Sequence, residues 1–316
     1  MRTRTIFYWL FIVFLLGLLP LIKISPYILY VVVLCLIFGL LASSWDILFG
    51  YTGLMSFGHA GFFGVGAYSS VLMVIHSGLP AWLALIFGPI IAGFFGLFVA
   101  IPCLRLRGPY LTLTTLAFAQ SIRLVAGNWQ SFTGGPLGLS AYRLLEGIPS
   151  DRITYYYVVL AIVAVCIAAL RSLADSRFGL HFQTIRDDEI LAEAVGIDTT
   201  RYKIISFCVS AFFAGVAGSL YAFYTAVISP LILDVPLTVQ AVAMAVIGGT
   251  GTIFGPLIGA IVLQFLAEYF RVFDAFRLVI TGAATVVVIL FFPNGLWQIF
   301  QWARLRFRQS PFGKLS

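Results

Sequence analysis

Charge is what this sequence has least of: Asp, Glu, Lys and Arg make up 10% of it, against roughly 25% in an ordinary soluble domain. With 61% apolar residues and so few charges to face water, a soluble globular fold is excluded. The short alternating segments of a membrane barrel are also missing; apolar residues instead run for about 17 to 25 positions, enough to cross a hydrocarbon core of ~30 Å as helix. Metal-ligand spacing is absent. Cys35, Cys103, Cys166 and Cys208 sit in or at the ends of apolar runs, and His59, His76 and His181 have no acids or cysteines at ligand spacing, so no metal site is expected. No G-x-x-x-x-G-K-[ST] phosphate loop occurs, so any ATP hydrolysis must come from another polypeptide. No nucleophile, base and acid cluster at a shared depth, which argues against an enzyme. The net charge of +7 is scattered over helix ends without a basic cluster interleaved with aromatics, which argues against nucleic acid.

What is there reads as an all-α, polytopic transmembrane helical bundle of about 8–10 spans in a lipid bilayer. Apolar runs and breakers set spans near residues 6–22, 27–45, 57–76, 81–102, 110–126, 153–170, 204–227, 238–250, 256–270 and 277–292. The stretches 110–126 and 238–250 are short or polar for full spans and are expected as broken or re-entrant segments, which are tolerated where backbone is buried in protein or lines a cavity. Met1-Arg-Thr-Arg-Thr opens like a signal peptide but lacks a small-residue cleavage site, so the first run is expected to be retained. With both termini cytoplasmic, 13 of 19 Lys/Arg fall inside: Arg2, Arg4, Arg105, Arg107, Arg171, Arg177, Arg186, Arg201, Lys203, Arg304, Arg306, Arg308 and Lys314. That distribution obeys the positive-inside rule. The whole of 1–316 reads as one membrane domain with a cytoplasmic polar segment, 171–203, and a basic cytoplasmic tail, 302–316.

The polar segment Arg171–Lys203 holds six of the twelve acids (Asp175, Asp187, Asp188, Glu189, Glu193, Asp198) and five bases. Near a bilayer centre each charge costs on the order of 3 kcal/mol, so the segment must lie in water. Thr184-Ile-Arg-Asp187 resembles a capping box, placing Asp187, Asp188 and Glu189 in a first turn where the helix dipole favours them. Ile190, Ala194 and Ile197 then share one face of a helix of about three turns, with Gly196 as its stop. A helix that short needs a surface to hold it, and Glu189 with Glu193 asks for basic groups opposite, from a partner or from Arg186 and Arg201.

Two glycine-rich stretches form a weak internal repeat of two halves: Gly50-Tyr-Thr-Gly53 with Phe57-Gly58, and Gly248-Gly-Thr-Gly251 with Phe254-Gly255. Gly50, Gly53, Gly58, Gly61, Gly64, Gly248, Gly251 and Gly255 are read as helix-packing residues, since small residues let helices approach closely in lipid. His59 is the one ionisable residue of its span; it is either an interhelical hydrogen-bond partner or part of a solute route. Asp46 reads first as a cap for the next helical piece and otherwise, like Ser56, as a route residue. Thr112, Thr114, Thr115 and Gln120 make one span polar, either to wet a route or to bond between helices. Glu268, Arg271, Asp274 and Arg277 read as a surface ion-pair cluster.

Three stretches carry a family resemblance: GYTGLMSFGHAGFFGVGAY from Gly50, RDDEILAEAVGIDTTRYKIISFCVSAFFAGVAGSLYA from Arg186 to Ala222, and GGTGTIFGPLIGA from Gly248 to Ala260. Together, in this order, they resemble the permease subunits of bacterial branched-chain amino acid ABC transporters. The resemblance implies a multi-pass protein of the bacterial cytoplasmic membrane. Its implied partners are a second homologous permease subunit, two cytoplasmic ATPase subunits that bind the ATP, and an extracytoplasmic solute-binding protein; no cofactor of its own is implied. The insert then corresponds to the coupling helix, with Arg186, Asp187, Asp188, Glu189, Glu193, Ala194 and Gly196 as ATPase-coupling residues. Glu193-Ala194 with Gly196 resembles the EAA loop, with Val195 in place of the second Ala and the Gly closer than usual. Asp46, Ser56, His59, Thr114, Thr115 and Gln120 are the candidates for the route. Importers of urea, short amides or other small solutes, an ion-coupled secondary transporter and a small-amide channel stay open as alternatives.

Overall fold

The computed structural model describes residues 16–22, 25–103, 106, 108–141, 152–270, 282–283 and 295–296. The expected spans at 6–22 and 277–292, each for the most part, the tail 302–316, and Arg271, Asp274 and Arg277 lie outside the described residues.

Ser25 accepts a hydrogen bond from Tyr27 N and Pro26 takes the first helical position, starting α1 (Pro26–Asp46). This helix is apolar all round and almost wholly buried, as a central span of a bundle should be. It continues into a π turn, Ile47–Tyr51, and the chain then runs non-helically to Gly58. Next come α2 (His59–Ser77), ended by left-handed Gly78, and α3 (Ala81–Cys103). Pro109 starts α4 (Pro109–Asn128), and α5 spans Arg152–Ala174. Two short helices, α6 (Arg177–Asp187) and α7 (Glu189–Ala194), lead to α8 (Thr199–Thr225). The pair α9 (Val235–Gly248) and α10 (Gly255–Tyr269) completes the described bundle.

Five of these helices are long and apolar enough to cross a membrane: α1 with its π turn, α2, α3, α5 from Ile153, and α8. The expectation of a break within 110–126 is corrected: α4 is one continuous helix of 20 residues, about 30 Å long, in which Thr114 and Ser121 donate back to Tyr110 O and Ala117 O. The 238–250 stretch is indeed short; α9 has 14 residues and pairs with α10 through the Gly249–Phe254 turn. The break lies instead after α1.

Layers follow from small residues. α8 packs along α3 and α2, while α9, α10 and α5 pack around α1. A Cβ on Gly66 would overlap Gly215, and one on Gly218 would overlap the Phe63 carbonyl, so α2 and α8 touch backbone to backbone. At one end of the bundle lie the π turn, the Gly249–Phe254 turn, Gly108, α6 and α7. At the other, strands β1 (Leu139–Ser140) and β2 (Val227–Ile228) pair antiparallel, and Arg123 bridges to Asp234 at 3.1 Å.

Candidate functional site

The polar segment folds into two helices instead of one. Ser176 caps α6 by accepting from Phe178 N. Thr184 is not a cap: it sits in the last turn of α6 and donates to Leu180 O, 2.9 Å away. Asp188, extended at φ −159°, caps α7 by accepting from Ile190 N at 2.9 Å and Leu191 N at 3.0 Å. The expected three-turn helix is therefore corrected to six residues, ended by Gly196 at φ +85°. Its buried side is Ala192, so the expected apolar face of Ile190, Ala194 and Ile197 is corrected as well. Ile190, Leu191 and Val195 stand 72%, 60% and 67% exposed at the tip of the segment.

The acids of α7 are met by α8; of the two sources expected for the groups opposite them, a partner or the chain's own Arg186 and Arg201, the second is corrected. Glu189 Oε1 lies 2.6 Å from Lys203 Nζ, and Glu193 Oε1 accepts from Thr199 Oγ1 at 2.7 Å. Lys203 is the missed partner; its place at the start of a span made it look like a topology signal. Ala194 is exposed, and Asp187 pairs with its neighbour Arg186 at 3.1 Å.

Arg186 also turns inward. Its Nη1 donates to Gly50 O at 2.6 Å, joining α6 to the end of the π turn. Asp46, fully buried, accepts from Gly251 N at 2.9 Å. The expectation that Asp46 caps its own next helical piece is thus corrected: its carboxylate caps a turn 205 residues away. The two halves of the glycine repeat meet here, since a Cβ on Gly50 would overlap both Asp46 and Gly251 N. Gly53 and Gly251 serve the turns and not helix packing, with φ of +76° and +73°. Of the other glycines, Gly58 and Gly61 lie against Thr115 and Ala119 of α4, Gly64 against Leu233, and Gly248 against Gly255. The pairs Gly66 with Gly215 and Gly218 with Phe63 were missed, because helix contacts far apart in sequence leave no local motif.

Beside this junction opens a cavity of about 880 Å³, bounded by the Thr52–Met55 loop, Gly108–Leu113 at the start of α4, and Ile185–Glu189 with Lys203. The route candidates divide around it. Thr114 lies on α4 near the cavity, and Gln120 farther along the helix, its Oε1 accepting from Arg123 Nη1 at 3.3 Å. Ser56, His59 and Thr115 are fully buried behind the cavity. Ser56 accepts Trp45 Nε1 on its carbonyl at 2.8 Å, and Thr115 Oγ1 accepts from Phe57 N at 3.0 Å.

His59 Nε2 is 2.7 Å from Ser210 Oγ, while that hydroxyl lies 2.7 Å from Ser44 O. The single hydroxyl proton of Ser210 goes to the carbonyl, so His59 Nε2 carries the proton and donates. His59 therefore ties α2 to α8 and, through Ser210, to α1. Ser210 and Thr238, which accepts from Ala60 N at 2.9 Å, were not singled out; hydroxyls are common in spans and their long-range partners are invisible in sequence. No group of His, Cys, Asp and Glu able to hold a metal occurs among the described residues.

A family model described as branched-chain amino acid transport system / permease component matches residues 27–292. The high-affinity branched-chain amino acid transport system permease protein LivM of Salmonella typhimurium is 29% identical over 287 residues, 83% of this chain and 68% of that protein. The corresponding LivH of the same organism is 25% identical over 279 residues, 82% of this chain and 90% of that protein. The autoinducer 2 import system permease protein LsrC of Salmonella paratyphi B is 30% identical over 189 residues, 57% of this chain and 52% of that protein. No solved structure matches.

Proposed function

Because the chain belongs to the family of branched-chain amino acid transport permease components, we propose that it is the permease subunit of an ATP-driven importer of branched-chain amino acids in the bacterial cytoplasmic membrane. It works as a single permease domain, without a cofactor of its own, and its termini lie in the cytoplasm. ATP is bound by two separate ATPase subunits that dock on α7.

The observation that carries this reading is the exposed apolar tip of Ile190, Leu191 and Val195 on an otherwise charged, water-facing segment. In water such a cluster is unfavourable, and a partner groove that buries it gains roughly 25 cal/mol per Å² of apolar surface. Asp188, Glu189, Glu193 and Gly196 fix the shape of that tip instead of meeting the partner. The likeness is greater to LivM than to LivH, which favours a LivH-like second permease subunit. An extracytoplasmic solute-binding protein delivers the solute. The route runs along the exposed side of α4, past Thr114 and Gln120, to the cavity by Arg186, with Asp46, Ser56, His59 and Thr115 holding the wall behind it.

The test is uptake of labelled leucine by liposomes holding the whole complex, with isoleucine, urea and autoinducer 2 as competitors. Isoleucine alone is expected to compete. Competition by autoinducer 2 would move the chain toward the solute named for LsrC, and leucine accumulation by this chain alone under an ion gradient would overturn ATP-driven import.

A further inference from the structure

The cavity between the docking segment and the start of α4 leaves α7 standing away from most of the bundle. Its own neighbours are α6 and the start of α8. A docking element so placed needs a stiff connection if its motion is to reach spans other than α8.

Arg186 has the geometry of that connection. It occupies the last turn of α6, one residue before Asp187 ends the helix and two before the extended Asp188 lets the chain turn into α7. A basic residue at a helix C-terminus is ordinarily accounted for by the helix dipole. Here the guanidinium is committed further. Asp187 Oδ1 accepts from Nε and Nη2 at 3.2 and 3.1 Å, which leaves Nη1 aimed at Gly50 O, 2.6 Å away. That carbonyl lies at the end of the π turn, where Gly53 N bonds to Phe49 O and Leu54 N to Leu48 O. Gly50 O is thus an acceptor free of these helix-end bonds, and a charged donor from another element takes it.

The same place holds the second half of the repeat. The Gly251 Cα lies close enough that an added Cβ would sit 3.4 Å from Arg186 Nη1, and Gly251 N donates to Asp46. Asp46 Oδ2 has no hydrogen-bond partner among the described residues. Gly53 presses on the stem of the same side chain, with room for a Cβ only at 3.0 Å from its Cγ. One guanidinium therefore bonds the π turn that follows α1 and lies beside the α9–α10 turn, whose Gly251 N is held by Asp46.

We propose that Arg186 is a positioning residue for transport: it ties the docking segment to the Gly50 and Gly251 turns, so that displacement of α7 reaches α1 and the α9–α10 pair together. This rests on the reading of α7 as the ATPase docking site. In this proposal Arg186 sets coupling, not docking.

The experiment uses the whole complex in nanodiscs and proteoliposomes, with R186A, R186K and D46N variants. Three quantities are read: ATPase binding to the permease pair, ATPase stimulation by leucine-loaded binding protein, and leucine imported per ATP hydrolysed. R186A is expected to bind ATPase within twofold of the native complex while stimulation and leucine per ATP fall about tenfold. R186K, which can still donate to Gly50 O, is expected to recover to within about threefold. D46N, which keeps an acceptor for Gly251 N but puts an amide in place of the buried carboxyl, is expected to lower leucine per ATP severalfold with binding unchanged. Full coupling in R186A, or loss of binding in step with loss of coupling, would overturn the proposal. If R186A does not fold, R186M, which keeps the stem but cannot donate to Gly50 O, takes its place, and native leucine per ATP in R186M would overturn the proposal. Failure of the native complex to bind the ATPase would instead sink the docking reading itself.

Discussion

Lys203 Nζ sits 2.6 Å from Glu189 Oε1, so the first residue of α7 is held by the second turn of α8, a membrane-spanning helix. Lys203 is only 8% exposed and Glu189 is partly covered, which makes this pair stronger than an ordinary surface bridge. A six-residue helix cannot sustain itself in water. The pair, the Asp188 cap and the Thr199 bond to Glu193 supply what its length does not.

Replacing Lys203 with Met removes the cation and leaves Glu189 against an apolar stem. Loss of a charge-assisted bond costs about 1–2 kcal/mol, hence a roughly tenfold weaker ATPase association. Hydrogen exchange at the amides of 188–196 should speed up by a similar factor, while the thermal midpoint of the bundle hardly moves.

Substituting Ile190 and Val195 by Asp places charge on the exposed apolar tip proposed to dock the ATPase. Each anchor of that kind is worth about 2 kcal/mol or more, so ATPase binding should fall at least ~100-fold in the double variant. Neither side chain belongs to the core, so insertion and melting of the isolated permease should match the native chain.

His59→Ala tests the interhelical role of that residue. It leaves a void at a fully buried position and removes the bond to Ser210, for a cost of about 2–4 kcal/mol. Ser210→Ala loses only hydroxyl bonds and should cost about 1 kcal/mol. Melting in detergent ranks the two. Leucine KM of the surviving H59A complex should stay within twofold, because the ring touches protein.

Gly218→Val drives a branched side chain into the Phe63 carbonyl, where backbone cannot yield. The cost is about 3 kcal/mol or more, and α2 should no longer seat on α8. Gel filtration should show loss of monodisperse permease, whereas Gly196→Asn, with open space around it, should remain monodisperse.

Much of the fold was legible in the sequence because lipid imposes it. Apolar runs bounded by Ser25-Pro26, Gly78, Gly108-Pro109 and Asp198 mark helices to within five residues of where they fold. The polar segment was legible as polar and exposed, but its cap was not: Thr184-x-x-Asp187 and Asp188 offer competing starts, and only tertiary contact selects the second. The junction was hidden for a different reason. Arg186 meets Gly50 across 136 positions, and His59 meets Ser210 across 151, and no periodicity reports such pairs. The glycine repeat pointed to the right place without saying that its halves touch.

The most direct test of α7 as the ATPase docking site is photo-crosslinking from Val195. A benzophenone amino acid at that position, in the assembled complex in membranes, is expected to form its main adduct with the ATPase subunit, and a competing soluble ATPase should reduce the yield. Adducts confined to lipid or to the second permease subunit, with none on the ATPase, would contradict the assignment.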